Sequence, residues 1–160
     1  MDHATESTED LKEKFWKHLA ASPFVMLELD GDRDGAAPMT AQLDKDARHA
    51  IWFFTSKTGG YARMGPATAS FSAKGHDLFA RFDGNLVEET SRERLDQQWS
   101  QMIEAWFPGG KEDPDLLMLR MELGQAKIWD SELGLIGTAK MFLGMDVRKE
   151  TEGHVAETAL

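Results

Sequence analysis

Hydrophobic residues follow two different periods along this chain, one near the N-terminus and another over most of the remainder. Leu11, Phe15 and Leu19 recur at the spacing of an amphipathic helix, with lysine and glutamate between them. Ser7 supplies an N-cap and Pro23 ends the segment, so we expect a helix of about three turns. The segments that follow favour strands instead.

Short apolar stretches separated by turn residues predict an antiparallel sheet after this helix. The predicted strands cover 24–29, 36–43, 51–54, 67–73, 76–82, 116–123 and 125–129. Asp83 and Gly84 could close a hairpin, but we favour a glycine bulge through which the fifth strand continues. About seven strands without regular strand and helix alternation indicate an α+β, mainly β fold, an antiparallel barrel or sandwich with peripheral helices.

Three other segments have helical or irregular character. A single helix is predicted over 91–106 from one stripe of large side chains, namely Leu95, Trp99, Met102, Ile103 and Trp106. Residues 61–64 could form a short helix, and the glycine-containing segment 133–145 could form a weak helix or a loop.

The elements together predict one domain. We expect 1–7 to be a flexible N-terminus, 8–147 one domain and 148–160 a loose C-terminal tail.

The strand that begins at Ile51 ends in a polar lip, which we define as residues 55–60. After four apolar residues the lip reads Thr, Ser, Lys, Thr, Gly, Gly. Hydroxyls, a lysine and accessible backbone N–H groups at one place could bind an anion such as a phosphate. The same residue types are common wherever strands simply turn, so both interpretations stay open at this point.

Composition and charge narrow the class of function. The chain has 160 residues, 41% of them hydrophobic, which is enough for one domain with a sizeable core. With 28 acidic and 18 basic residues the net charge is −10, which disfavours nucleic acid as a partner. No apolar run is long enough to span a membrane and the first ten residues are acidic, so we expect a cytoplasmic protein without membrane contact.

The residue types needed for several kinds of site are missing or scattered. The sequence has no cysteine, which excludes disulfides, thiolate catalysis and zinc-thiolate sites, and agrees with a reducing compartment. Its five histidines show no spacing typical of metal ligands, so we expect no metal site. No nucleophile, base and acid can be assembled from the sequence either, and the catalytic residues stay unknown.

Four segments, taken in order, resemble one known family. They are Pro-Met-Thr at 38–40, Ile-Trp-Phe-Phe-Thr-Ser at 51–56, Ala-Trp-Phe-Pro-Gly-Gly at 105–110 with Asp-Pro at 113–114, and Lys-Ile-Trp-Asp at 127–130. This series is similar to the general stress protein branch of the pyridoxamine phosphate oxidase-like FMN-binding split barrels, over about residues 11–144. The resemblance implies an antiparallel six-stranded split β-barrel that forms a homodimer and binds FMN at the dimer interface.

The resemblance also implies a set of residues in contact with the flavin. Those from two strands of one subunit are Pro38, Met39, Thr40, Phe54, Thr55 and Ser56. Trp129 would pack near the ring from the partner subunit. The polar lip adds Lys57 as a candidate ligand for the phosphate, because a lysine offers a point charge with three donors.

Two positions depart from the family pattern, since Ala37 and Tyr61 stand where phosphate-binding cations are usual. Lys57, Arg63, Lys74 or the N–H groups of residues 58–60 could compensate for the missing cations. The implied function is an FMN-binding flavoprotein of the general stress protein type with a redox role, an FMN-dependent oxidoreductase of unknown substrate being one form of it. The alternatives are a split barrel that carries another small ligand after weakening or losing flavin binding, and a dimeric interaction scaffold.

Overall fold

The computed structural model describes residues 7–130, 143–144 and 155–160. Within these residues the chain forms seven strands, and their bounds are β1 Phe24–Leu29, β2 Ala37–Thr40, β3 Ala50–Ser56, β4 Gly65–Ser72, β5 Leu78–Glu88, β6 Leu116–Asp130 and β7 Val155–Ala159. The helices are α1 Thr8–Ala21, α2 Arg92–Gln98 and α3 Gln101–Trp106, with 3-10 turns at Gly60–Arg63 and Gly110–Glu112.

The strands form one antiparallel sheet in the order β2, β1, β4, β5, β6, β3, and β7 also pairs with β6. The two ends of this sheet meet at a bridge between Gln42 and Trp52, whose reciprocal N–H to C=O distances are 2.8 and 3.0 Å. The sheet therefore curls into a barrel that is split rather than continuously paired. The predicted α+β split-barrel fold is confirmed.

Helix α1 covers the core inside the curled sheet. Ser7 caps the helix by accepting a hydrogen bond from the Asp10 N–H at 3.1 Å, and Asp10 in turn accepts from the Ser7 N–H. Phe15 is fully buried and its ring meets those of Phe71 and Phe82 at centroid distances of 6.1 and 5.6 Å. Burial of one such side chain stabilises the fold by about 1.5–3 kcal/mol.

The helix predicted over 91–106 is broken into α2 and α3. Trp99 takes an extended conformation, with φ −65° and ψ 138°. Ser100 then caps α3, because its hydroxyl accepts a hydrogen bond from the Ile103 N–H at 3.3 Å. A serine competes with the helix for backbone hydrogen bonds, which is why the apolar stripe does not give one continuous helix. The single-helix prediction was wrong here.

In β5 and β6, the turn predicted at Gly124 is wrong and the bulge predicted at Gly84 is confirmed. The turn predicted at Gly124 does not exist, because β6 runs unbroken through it, and β5 has the predicted bulge between Phe82 and Gly84. The bulged Asp83 accepts a hydrogen bond from the Gln125 N–H at 2.9 Å. A Cβ at position 124 would lie 2.3 Å from an Asp83 carboxylate oxygen, so this glycine makes room for the bulge.

The seventh strand comes from an unexpected part of the chain. Val155–Ala159 lies in the predicted loose tail but pairs with β6, and its residue Ala156 is buried. Strand β6 extends beyond its pairing with β3, which leaves an edge that β7 can use. The loose-tail expectation is therefore wrong for 155–160, while the other proposed domain limits stay predictions.

The two remaining predicted segments, 61–64 and 133–145, have different outcomes. The short helix expected at 61–64 is present as the 3-10 turn Gly60–Arg63. The segment predicted over 133–145 lies outside the described residues except for 143–144, which form a turn. None of the helices in the described part of the chain has the length and apolar character needed to cross a bilayer.

Candidate functional site

A cleft of about 470 Å³ lies between β2, β3 and α3. Its lining residues are Pro38, Met39, Thr40, Gln42, Phe54, Thr55, Ser56, Met102, Ile103, Trp106, Phe107 and Asp115. Six of the eight residues predicted from the sequence as flavin contacts are among them, and the remaining two, Lys57 and Trp129, are not. The two sequence segments 38–40 and 54–56 thus flank one cavity.

The topology of the barrel explains how these segments meet. In β2, Pro38 pairs with Met26 and Thr40 with Phe24 of β1, at one end of the sheet. Strand β3 forms the other end of the sheet, where it pairs with β6. The Gln42 and Trp52 bridge joins those ends, so the mouth of the split lies beside the polar end of β3.

One wall of the cleft is apolar and comes largely from the α2–α3 region. The Phe54 ring meets the Trp99 ring edge-on at 6.1 Å, and behind them Ile103 and Phe107 are buried. Met102 and Trp106 line the cleft from α3 with exposed fractions of 65% and 80%. An apolar wall of this kind suits a flat aromatic ligand.

The lip is held in place by hydrogen bonds to an acidic residue. The Ser56 hydroxyl donates to an Asp115 carboxylate oxygen at 2.6 Å, and the Lys57 N–H donates to the Asp115 carbonyl at 2.9 Å. Within the lip, the Thr58 N–H donates to the Ser56 hydroxyl oxygen at 3.1 Å and the Gly59 N–H to the Ser56 carbonyl at 3.0 Å. These N–H groups are therefore committed to the turn, and a carboxylate stands where a phosphate was expected.

The candidate cations differ in their surroundings. Lys57 is exposed at the rim, and the described residues place no carboxylate in an ion pair with it. Arg63 is paired with Asp32, and the pKa of Asp32 is lowered first by the Asp34 backbone N–H and then by Arg63. Lys74 lies in the turn between β4 and β5, remote in the sheet order from the lip. Of these three side chains, Lys57 best suits a ligand in the cleft.

Tyr61 and Ala37, which replace the family's usual cations, contact each other. The Tyr61 hydroxyl donates to the Leu27 carbonyl at 2.7 Å and receives a hydrogen bond from the Ala37 backbone. Partial burial raises the pKa of Tyr61, because it penalises the phenolate, and this outweighs the hydrogen bond from Ala37. A neutral, bonded phenol thus occupies a place where the sequence comparison suggested positive charge.

Trp129 lies far from the cleft of its own subunit. Thr55 pairs with Leu117 near the start of β6, whereas Trp129 lies close to the end of the same strand. At about 3.4 Å per residue, up to roughly 40 Å of strand separates Leu117 from Trp129. The Trp129 ring stacks with two cations instead, the Arg81 Cζ at 5.9 Å and the Lys127 Nζ at 5.2 Å from its centroid.

Sequence reasoning missed the contributions of Gln42, Asp115 and α3 to the cleft. The sequence predicted Met102, Ile103 and Trp106 only as part of one helical stripe, although the 105–110 segment was already a motif of the resemblance. Within the described residues, no group of three histidine, aspartate or glutamate side chains is placed to bind a metal ion. The chemistry that the arrangement supports is the binding of a flat, largely apolar ligand with polar edges.

Known proteins share both sequence and fold with this chain. The sequence profile described as pyridoxamine 5'-phosphate oxidase-like matches residues 10–153. A search of curated protein sequences gave no match. Among solved structures, the general stress FMN/FAD binding protein of Xanthomonas citri is 45% identical, with a TM-score of 0.73 over 80% of this chain and 94% of that one.

Two further structures extend the similarity. A general stress family candidate from Xanthomonas campestris pv. campestris is 43% identical, with a TM-score of 0.70 over 78% of this chain and 89% of the other. A candidate general stress protein 26 from Jannaschia sp. CCS1 is 34% identical, with a TM-score of 0.77 over 96% of this chain and 99% of the other. The last comparison spans nearly the whole of both chains.

Proposed function

The chain belongs to the pyridoxamine 5'-phosphate oxidase-like family, and on that premise we propose that its cleft binds FMN in a homodimer with a redox function. The observation that carries the proposal is that the two predicted contact segments, 38–40 and 54–56, flank one cleft of about 470 Å³. That volume lies in the range typical of small-molecule and cofactor sites. The name of the Xanthomonas citri relative, an FMN/FAD binding protein, supports the same ligand.

The residues of the cleft fit the parts of FMN differently. Pro38, Met39 and Phe54 offer apolar surface for the faces of a planar ring. Thr40, Gln42 and Thr55 offer hydroxyl and amide groups that can bond to the polar edge of a ring or to ribityl hydroxyls. The cleft can thus orient a flavin by shape and by a few polar contacts.

The phosphate end fits less well in one subunit alone. Lys57 supplies a charge at the rim, but Asp115 places a carboxylate against Ser56. In the proposed function FMN supplies the electron transfer when bound, while the protein binds it, orients it and keeps water from its ring. The homodimer and the cytoplasmic location, with which the absence of cysteine agrees, are parts of the same proposal.

A second candidate is favoured by Asp115, namely an uncharged aromatic ligand in the same cleft. A carboxylate 2.6 Å from the Ser56 hydroxyl oxygen repels a phosphate but not a ring without charge. Riboflavin is the matched probe for this alternative, because it has the ring and the ribityl chain of FMN without the phosphate.

The proposal is tested by titrating purified protein with FMN and with riboflavin, using flavin absorption and quenching of tryptophan fluorescence. Trp99 and Trp106 beside the cleft should report binding. We expect saturable binding of FMN, with one flavin per chain and a higher affinity than for riboflavin. Binding of riboflavin with equal or higher affinity would favour the uncharged ligand, and no quenching by either would refute both candidates.

A further inference from the structure

The segment from the end of α2 to the turn after α3 runs along one wall of the cleft, and we call residues 97–110 the flap. Trp99 and Ser100 are extended between the two helices, with ψ values of 138° and 166°. At the other end Gly110 has a φ of 67°, a left-handed conformation that favours glycine. Positions of this kind at the ends of an element can absorb a change in backbone angles, as hinges do.

The two ends of the flap are held together by ion pairs at the surface. The Lys111 Nζ lies 2.8 Å from an Asp96 carboxylate oxygen, and the Arg92 Nε lies 3.5 Å from the same oxygen. Arg92 also pairs with Glu112. The flap therefore begins and ends at one place, as an Ω-loop does. All four side chains are at least partly exposed, so each pair is weak and is screened by salt.

Helix α2, from which the flap starts, is attached more firmly to the barrel. Arg94 pairs with Asp44 at 2.6 Å, and its Cζ lies 4.1 Å from the centroid of the Trp52 ring. Trp52 is buried in β3, and its Nε1–H donates to a Glu89 carboxylate oxygen at 3.0 Å. These side chains are less exposed than most of those that join the two flap ends. The base is thus fixed on the α2 side while the flap itself is held by weaker contacts.

Within the flap, α3 divides its large side chains between two neighbouring stripes. Ile103 and Phe107, one turn apart, are buried with Leu116 in a small cluster separate from the main core. Met102 and Trp106, also one turn apart, line the cleft but are largely exposed to solvent. A segment anchored by so few buried side chains belongs to the part of a fold that opens most easily.

We infer that the flap closes over the cleft when the planar ring of a ligand occupies it, that Trp106 and Met102 contact the ring, and that the Asp96 and Lys111 pair limits how often the flap opens. Burying an aromatic and a thioether side chain against a ring favours the closed form. In the empty cleft both side chains return to water, and the flap reopens against weak ion pairs.

The inference rests on the proposed function, whose flavin supplies the planar ring. The open form admits the ligand, and in the closed form Trp106 and Met102 cover the ring, so closure slows release of the ligand without slowing its arrival. Because these side chains contact the ring, the flap retains FMN and riboflavin alike. It differs in this respect from Lys57 and Asp115, whose charges act on the phosphate alone.

The first test measures the association and dissociation rates of FMN and riboflavin by stopped-flow flavin fluorescence. Trp106→Ala should speed the dissociation of both ligands about ten-fold and leave their association nearly unchanged. Trp106→Phe keeps a ring and should restore most of the slow release. Glu104→Ala is the matched control, because Glu104 is exposed on the side of α3 away from Met102, and it should change neither rate.

Two outcomes of this first test would overturn the inference. One is unchanged dissociation of both flavins from Trp106→Ala. The other is a changed particle mass of Trp106→Ala in light scattering, which would assign the side chain to a contact between chains.

The second test measures movement by hydrogen exchange with mass spectrometry. Saturation with FMN should slow amide exchange over residues 99–107 and leave α1 unchanged. Asp96→Ala with Lys111→Ala removes one charge of each sign, so the net charge is kept. This pair variant should speed exchange of the flap in the free protein roughly two- to five-fold, and release of riboflavin by a similar factor. Exchange that responds neither to FMN nor to loss of the pair would show a static wall and overturn the inference.

The two tests separate the flap from the function beneath it. If neither flavin binds, the proposed function fails, and exchange in the free protein still decides on the flap: rates over 99–107 as slow as those of α1 would overturn it, and faster rates that rise in the pair variant would support it. If flavin binds and leaves Trp106→Ala at the unaltered rate, the function stands and the inference is wrong.

Discussion

Asp115 offers the sharpest test of where a phosphate would bind. The Ser56 hydroxyl donates to its carboxylate at 2.6 Å, so a phosphate accepting from the same hydroxyl would compete with it. Two acceptors around one hydroxyl lie about 4–5 Å apart. Asp115→Asn removes the charge and keeps an acceptor for Ser56, which makes it a nearly isosteric change.

The expected effect follows from Coulomb's law. Two unit charges 4 Å apart in water repel by about 1 kcal/mol, and a phosphate monoester carries about −1.5 to −2 charges at neutral pH. Removing this repulsion should tighten FMN by about 1–2 kcal/mol, which is about ten-fold in affinity. The gain should shrink as salt rises, because Asp115 is exposed and salt screens its charge.

Fluorescence titrations with FMN and riboflavin at low and high salt measure this effect. Riboflavin should bind Asp115→Asn and the unaltered protein equally. Glu9→Gln on α1 makes the same change of net charge away from the cleft and should leave FMN affinity nearly unchanged. If Asp115→Asn leaves FMN affinity unchanged at low salt, or tightens both ligands alike, then no phosphate lies beside Ser56.

Three further predictions concern the rim, the bulge and acid stability. Lys57→Ala should weaken FMN about ten-fold at low salt and barely change the melting temperature of the apo protein, since Lys57 is exposed at the rim; unchanged affinity would remove it from the site. Gly84→Ala should lower the free energy of unfolding by about 1–3 kcal/mol in urea titrations, because its Cβ would lie 2.5 Å from the Glu122 carbonyl oxygen, whereas Gly60→Ala meets no such contact. Partial burial opposes ionisation of Glu89, but hydrogen bonds from Trp52 and Arg120 outweigh it and lower the pKa below the ordinary 4.5. The ionised Glu89 stabilises the fold fully above pH 4.5, and this stabilisation is lost as the pH falls through its lowered pKa. Glu89→Gln should therefore flatten the acid end of the stability profile measured by urea unfolding. An unchanged profile would contradict a stabilising role of the ionised Glu89.

Local patterns in the sequence predicted much of the sheet. The alternation in β1, β4 and β5 and the glycine at the bulge each depend on neighbouring residues, so they could be inferred without the fold. The continuous β6 could not, because Gly124 looks like a turn until the Asp83 side chain that needs its space is known. The strand β7 depends on an edge of β6 that has no signature in its own sequence.

The residues of the cleft, too, were only partly predicted from the sequence. Segments 38–40 and 54–56 were predicted through a family resemblance, and both line the cleft. Asp115 and Trp106 were not assigned to it, because only the packing of α3 and the turn before β6 against the barrel brings them there. The role of Trp129 stays a prediction, since its place depends on a second chain.

The pairing of β3 with β6 also sets an order for folding. Strands β1 and β2, and likewise β4 and β5, are neighbours in sequence and can pair as soon as they are made, but Ser56 of β3 must wait for Leu116 of β6. Synthesis at roughly 5–20 residues per second leaves β3 without its partner for several seconds. During that time the apolar run from Ile51 to Phe54 is available to chaperones or to other nascent chains. Release of the growing chain before Leu116 should therefore yield insoluble protein, and the aromatic strand beside the cleft is where aggregation of this barrel would begin.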